Sequence, residues 1–124
     1  MPIIIMGNRY DELKWWQEQR AKNGYHTISA SATPGISALA MWTAQQILAG
    51  KEVPKFVEAP LLVIEEKNLA TWLAVTPEGG VADGDYTLEY TVNLIDANTN
   101  GTPLPDVPLP VRLSARPLFT QPAR

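Results

Sequence analysis

The apolar run PIIIM at residues 2–6, followed by Gly7, places the strongest constraint on what this chain can fold into. An uninterrupted apolar run of this length is typical of a strand that is covered on both faces, as in the parallel sheets of α/β proteins. Residues 10–23 follow with acids near the start, bases near the end and Gly24 directly behind, which is the pattern of a capped helix. A strand followed by a helix is half of a βαβ unit, so the sequence predicts an α/β fold.

The alternation of strands and helices continues along the chain. A second strand is predicted at residues 25–31, and a second helix, ended by Gly50, at residues 36–49. Pro60 lies inside the third predicted strand and restricts it to a sheet edge or a bent crossing segment. The remaining predicted elements are that strand at residues 55–64, a short helix at residues 65–73 and a loop at residues 76–85.

Residues 86–95 (YTLEYTVNLI) fit two structures equally well. The alternation of Tyr86, Leu88 and Tyr90 suits a half-buried strand, while the spacing of four between Tyr86 and Tyr90 suits a helix. The proline-rich residues 96–124 predict an extended tail, or one irregular strand pair around residues 107–113, and no packed domain.

These patterns divide the chain into two predicted parts. Residues 1–95 form the folded part, with a βαβα segment at 1–53 and a crossing segment with terminal elements at 54–95. Residues 96–124 form a proline-rich C-terminal extension.

Composition excludes several classes of function. A net charge of −3 and a pI near 5.0 provide no electrostatic footprint for nucleic acid or for an anionic membrane surface. The absence of cysteine excludes disulfides, thiolate zinc sites and cysteine nucleophiles, and no pattern calls for a metal or a cofactor. The N-terminal apolar run is far shorter than the core of a signal peptide, so this chain is not expected to carry one.

The residues that are candidates for catalysis have simpler structural interpretations. His26 is the single histidine and lacks the partners of a zinc site or a catalytic triad, so we expect a structural or surface role. Glu65 and Glu66 are adjacent, point in different directions on a helix and are better explained as helix-start charges than as an acid/base pair. Trp15 and Trp16 suit sugar stacking, but adjacency on a helix favours packing for one and an outer or interface position for the other. The sequence therefore predicts no enzyme.

A sheet of two or three strands that is apolar on both faces is a poor domain by itself. We therefore expect either self-association through exposed strand edges or a chain that is a piece of a larger protein.

Several motifs occur in one order: PIIIMG, then ELKWW, then ISASATPGISALAMWTAQQILAGKEVPK, then APLLVIEEKNLATWL. Over residues 2 to about 95 this order resembles the C-terminal end of the periplasmic sugar-binding proteins of ABC transporters, the ribose-binding-protein-like group. The most specific marks are the helix end with Leu48, Gly50, Lys51, Val53 and Pro54, and the pair Asn68-Leu69.

The resemblance implies a fold and a function. The chain would be part of the C-terminal lobe of a two-lobed periplasmic-binding-protein fold, a short and mostly parallel sheet with flanking helices. It would be the substrate-binding component, in fragment form, of an ABC sugar importer, would bind a sugar or sugar-like solute between the lobes, and would serve a transporter permease from the periplasm. A fragment with one lobe is expected to bind sugar weakly or not at all. The alternative is the sugar-sensing domain of a lactose-repressor-type regulator, which uses the same fold.

The resemblance also indicates ligand-binding residues. In the family an acid commonly follows the glycine that ends the first strand, and here Asn8 occupies that position beside Arg9. A second contact lies in the loop before the long helix, where this chain has Ser31. The Asn8 amide suits a pair of sugar hydroxyls because it both donates and accepts. Asn8 and Arg9 in place of the acid also suit a ligand with a carbonyl or carboxylate. The alternative role for Asn8 and Arg9 is a polar turn that caps the first helix.

Overall fold

The structure is a computed structural model and describes residues 7–110. The predicted strand at residues 2–6 and the last part of the predicted strand pair around residues 107–113 lie outside the described residues. The described part contains four helices and two short strands in the order α, β, α, β, α, α.

Helix α1, Tyr10–Asn23, has the bounds that the sequence pattern predicts. Arg9 is its N-cap residue, and the Glu12 carboxylate accepts the Arg9 main-chain N–H at 3.2 Å, which satisfies one of the free donors at the helix start. Gly24 closes the helix in the left-handed conformation at φ 63°. Of the two residues considered for capping, Arg9 takes this role and Asn8 does not, because the helix starts one residue too late for Asn8.

The sheet consists of β1, Ser29–Ser31, and β2, Leu62–Ile64, which pair antiparallel with Ser31 opposite Leu62. The mostly parallel arrangement that the sequence predicts is therefore not found in this pair. Helix α2, Ile36–Leu48, and residues 49–61, which contain no strand, connect the two strands. Because Leu62, the first residue of β2, lies opposite Ser31, the last residue of β1, the chain enters β2 at the end where it leaves β1, which is the end opposite to the one a parallel partner needs.

Helix α3, Glu66–Val75, and helix α4, Leu88–Asn100, complete the regular elements. Residues 88–95, whose sequence fits both a strand and a helix, belong to helix α4. The Thr87 side chain caps this helix by accepting the Tyr90 N–H at 3.1 Å. Its buried side chains follow helical spacing and not alternation; they are Tyr90, Thr91, Leu94, Ile95 and Ala97. The helix also runs across the predicted boundary between residues 95 and 96.

The core lies between the sheet and its helices. Helix α1 packs against α3, and α2 packs against α4. The side chains of Trp16 and Ile64 are fully buried at its centre. Other members of the core are Leu13, Tyr25, Leu39, Leu62, Leu69, Trp72, Ala82, Tyr86, Tyr90, Leu94 and Val107.

Residues 102–110 contain neither helix nor strand, yet they belong to the folded unit. Val107 is 9% exposed, and Leu104 packs against the core. None of the helices described for residues 7–110 combines the length and the apolar character needed to traverse a bilayer.

Candidate ligand-binding site

Three loops meet beside the start of α1 and the end of β1, and we call them the three-loop cluster: residues 7–9, 31–35 and 80–86. The loop at 80–86 contacts residues 7–10, because Ala82 N donates to Asn8 O at 2.9 Å and Tyr10 N donates to Gly80 O at 3.0 Å. It also contacts residues 33–35 through side chains of Asp83 and Tyr86. All three residues that the sequence predicts for ligand binding lie in this cluster.

Asn8 lies in the interior of the cluster, with 1% of its surface exposed. Its side-chain N–H donates to the Leu62 carbonyl at 3.0 Å, its Oδ1 accepts from the Ser29 hydroxyl, and its main-chain N–H donates to Ser29 Oγ at 3.1 Å. The backbone adopts φ 65°, a left-handed conformation that asparagine tolerates better than most residues. The Asn8 side chain thus ties the first loop to both strands of the sheet.

Arg9 lies on the exposed side of the same loop. Its backbone forms an isolated antiparallel bridge with Val81, which fixes the first loop against the third. The Glu12 carboxylate accepts main-chain N–H groups from both Gly7, at 3.0 Å, and Arg9. The backbone of Arg9 is therefore held on two sides while its side chain reaches the surface.

Ser31 is partly exposed at the end of β1, and its hydroxyl donates to the Ala32 carbonyl at 3.0 Å. Its cross-strand partner is Leu62, the residue whose carbonyl accepts the Asn8 amide. Opposite residues of an antiparallel pair lie about 5 Å apart at Cα, so Leu62 brings Asn8 and Ser31 into one neighbourhood. The structure thus places the two predicted positions together.

Sequence reasoning missed the residues that hold the second and third loops together. Asp83 Oδ1 accepts N–H groups from Gly35 and Gly84, both at 2.9 Å. A Cβ atom at Gly35 would lie 2.8 Å from that oxygen, so a larger residue here would displace the Asp83 carboxylate. The glycine in the turn ATPG, together with the acid in the loop sequence VADGD, was the available signal for this contact.

Tyr86 and Thr33 form a buried hydroxyl pair within the cluster. The Tyr86 carbonyl accepts the indole N–H of Trp42 at 3.1 Å, and the Tyr86 ring meets Tyr90 edge to face with centroids 5.6 Å apart. Burial raises the pKa of Tyr86, and it raises the pKa of Tyr90 to about 12 with help from Tyr86 and Asp106. Both phenols stay neutral at physiological pH and act as hydrogen-bond partners, not as bases.

The other candidate residues lie away from the cluster. Trp16 is fully buried while Trp15 is 40% exposed and meets Tyr25 edge to face, which confirms the divided packing that adjacency predicts. His26 is a surface residue hydrogen-bonded to Glu66. This hydrogen bond is the main cause that lowers the pKa of Glu66, and Arg20, with its Nη2 3.6 Å from Glu66 Oε2, adds to it.

Glu65 and Glu66 occupy the N-cap and first turn of α3, as predicted. Within residues 7–110 no group of three or more His, Cys, Asp or Glu side chains is placed to hold a metal ion.

A surface groove of about 450 Å³ lies between β2, α3 and residues 106–109. Neither Asn8, Arg9 nor Ser31 lines it. Its walls are formed by Pro60, Leu61, Leu62, Val63, Glu65, Lys67, Asn68, Thr71, Trp72, Asp106, Val107 and Leu109.

The comparisons with known proteins concern the fold. No protein-family model matches the chain, and no curated protein matches it. The fold is similar to that of an ABC transporter solute-binding protein. The solved structure in question is the ABC transporter solute-binding protein from Thermobispora bispora, with a TM-score of 0.77 and 27% sequence identity over 88% of this chain. The match covers 33% of that protein, so this chain spans about one third of its length. The predicted α/β fold class, part of a solute-binding protein fold, is thereby confirmed.

Proposed function

We propose that this chain supplies one wall of the ligand cleft of a solute-binding protein that serves an ABC importer, and that the solute is a sugar or a sugar-like molecule. The observation that carries the proposal is the similarity to a transporter solute-binding protein at 27% identity over 88% of this chain. The match is to a binding protein and not to an enzyme, which supports a binding role.

The position of the three-loop cluster is a second observation that supports the proposal. Ligand-binding residues are commonly carried by loops that helices and strands hold in place; Arg9 directly precedes α1, and Ser31 is the last residue of β1. Arg9 supplies a cation and up to five donors, and the Ser31 hydroxyl both donates and accepts. These groups suit the hydroxyl, carbonyl or carboxylate oxygens of a sugar or sugar acid.

The three predicted binding residues contribute in different ways under this proposal. Arg9 and Ser31 contact the ligand, since both reach the surface. Asn8 is occupied by Ser29 and Leu62 and holds the loop that presents Arg9. By the same proposal the protein acts in the periplasm and delivers its solute to a membrane permease.

A titration of the ¹⁵N-labelled chain with a panel of pentoses, hexoses and uronic acids, followed by NMR, tests the proposal. We expect saturable shifts of the Arg9 and Ser31 amide signals at millimolar ligand, because one wall of a cleft makes only part of the contacts of a complete site. The variants Arg9→Ala and Ser31→Ala are expected to reduce these shifts.

Two matched variants serve as controls. Arg20→Ala removes an exposed arginine from the same helix, and Ser37→Ala removes an exposed serine from α2. Neither residue belongs to the three-loop cluster, so both variants should respond to sugar as the parent chain does. Shifts that are absent for every sugar, or that are equally strong in all four variants, contradict the proposed site.

A further inference from the structure

Residues 104–108, which we call the strap, are fastened to the loop of residues 80–86 and to α4. The Tyr90 hydroxyl donates to the Pro105 carbonyl at 3.0 Å, and Asp85 N donates to the Pro108 carbonyl at 3.1 Å. Val107, between these two attachment points, is 9% exposed. The strap is thus held by hydrogen bonds at both ends and by burial in the middle.

Gly84 marks where the strap and the loop approach most closely. A Cβ atom at Gly84 would lie 2.8 Å from Val107 Cγ1 and 2.9 Å from the Tyr86 ring, so only glycine fits between them. Val107 and the Tyr86 ring therefore both pack against Gly84.

The same loop touches the other two loops of the cluster. Asp83 accepts the Gly35 N–H at 2.9 Å, and Tyr86 pairs with Thr33. On the opposite side Ala82 N donates to the Asn8 carbonyl at 2.9 Å. A continuous set of contacts therefore leads from the strap through residues 82–86 to the loops that hold Asn8 and Ser31.

We propose that the strap is a positioning element of the ligand site: when it is seated it fixes the loop at residues 80–86, and through that loop it aligns residues 7–9 and 31–35. Release of the strap loosens all three loops together. The ligand-binding part of this inference rests on the proposed function, whereas the linkage between strap and loops does not.

Native-state hydrogen exchange measured by NMR tests the linkage with two variants. Tyr90→Phe removes only the hydroxyl that holds Pro105, and loss of one hydrogen bond predicts about fivefold faster exchange of the Asp85 amide. Gly84→Ala forces a methyl group against Val107 and is expected to accelerate exchange by tenfold or more. In both variants the Gly35 and Ala82 amides should accelerate with Asp85, while the Leu13 amide in α1 keeps its rate.

Tyr25→Phe is the matched control, because Tyr25 is a buried tyrosine outside the strap contacts. It should leave the Asp85, Gly35 and Ala82 amides unchanged. Acceleration of Asp85 without Gly35 and Ala82 overturns the linkage, and so does an equal acceleration of every amide including Leu13.

A sugar titration of Gly84→Ala separates this inference from the proposed function. Weaker shifts at Arg9 and Ser31 than in the parent chain support the positioning role. Parent-like shifts together with accelerated Gly35 exchange overturn it. A chain that binds no sugar but shows the linked exchange refutes the proposed function and the role of the strap in ligand binding, and it supports only the linkage between the strap and the loops.

Discussion

The side-chain amide of Asn8 donates to the main-chain carbonyl of Leu62 at 3.0 Å and thereby joins residues 54 positions apart. The isosteric change Asn8→Asp replaces this donor with a carboxylate oxygen, which repels the carbonyl in a buried site. We expect a loss of about 2 kcal/mol in the free energy of unfolding at pH 7, measured by urea denaturation. Because this repulsion raises the pKa of the introduced carboxyl in the folded chain, the loss should begin to shrink as the pH falls below that raised value, and it should be gone below about 4, where the carboxyl is protonated in both states and donates again.

Asn93→Asp is the control for that change, since Asn93 is exposed on α4. Its effect should stay within about 0.5 kcal/mol. An Asn8→Asp variant as stable as this control would show that the hydrogen bond to Leu62 contributes nothing.

The adjacent tryptophans provide a matched pair. Trp16 is fully buried and Trp15 is 40% exposed. Trp16→Ala is expected to lower the free energy of unfolding by about 4 kcal/mol, because it leaves a large cavity in the core. Trp15→Ala removes mainly a half-exposed contact with Tyr25 and should cost about 1 kcal/mol. Equal losses in far-UV circular dichroism melts would contradict the assigned burial.

The cap of α4 is testable with two threonines. Thr87→Ala removes the oxygen that accepts the Tyr90 N–H and should cost about 1 kcal/mol. Thr99 is exposed near the other end of α4, and its hydroxyl donates to the Ile95 carbonyl within the helix. Thr99→Ala is expected to change stability by less than about 0.5 kcal/mol in the same denaturation experiment.

The ionisation of Glu66 depends on its neighbours. The hydrogen bond from His26 holds the pKa of Glu66 below its usual 4.5, so the stability it contributes is present above that value and is lost as the pH falls through the lowered pKa. His26→Ala should return the pKa toward 4.5 in an NMR titration of the side-chain carboxyl. Arg20→Gln should raise it less, because the arginine acts at longer range. The reverse order of these two effects would refute the assignment.

Ionisation of the Tyr90 phenol should make the free energy of unfolding depend on pH in the alkaline range. Its pKa rises to about 12 in the folded chain and stays near 10 in the unfolded chain. The folded state therefore holds the phenol proton more tightly than the unfolded state does. The resulting contribution of Tyr90 to the free energy of unfolding is complete below pH 10 and is lost as the pH rises toward 12. Tyr90→Phe should show a shallower loss of stability across this window than the parent chain, and an unchanged slope would contradict the burial of the hydroxyl.

Helices α1, α2 and α3 were the most predictable part of the fold. Local signals determine them: the charge pattern and Gly24 set the bounds of α1, and the small residues before Gly50 set α2. The positions of Trp15 and Trp16 also followed from helix geometry, because adjacent side chains point about 100° apart.

Strand pairing and the ambiguous region were decided by long-range contacts. The direction of β2 relative to β1 depends on the path of residues 49–61, which no local pattern encodes. The choice of helix for residues 88–100 depends on packing of one apolar face against α2, since the same residues also satisfy a strand pattern. The roles of Asp83, Gly84 and Val107 depend on segments that are distant in sequence.

The sequence by itself determined helices α1, α2 and α3 and the position of Ser31 at the end of a strand, because these follow from periodicity, capping and charge. Only the tertiary structure decided that Asn8 faces inward, that β1 and β2 run antiparallel and that the strap packs on the loop at residues 80–86. The physical reason is that burial and hydrogen bonding between segments far apart in the chain depend on how the segments meet, which local preferences do not specify.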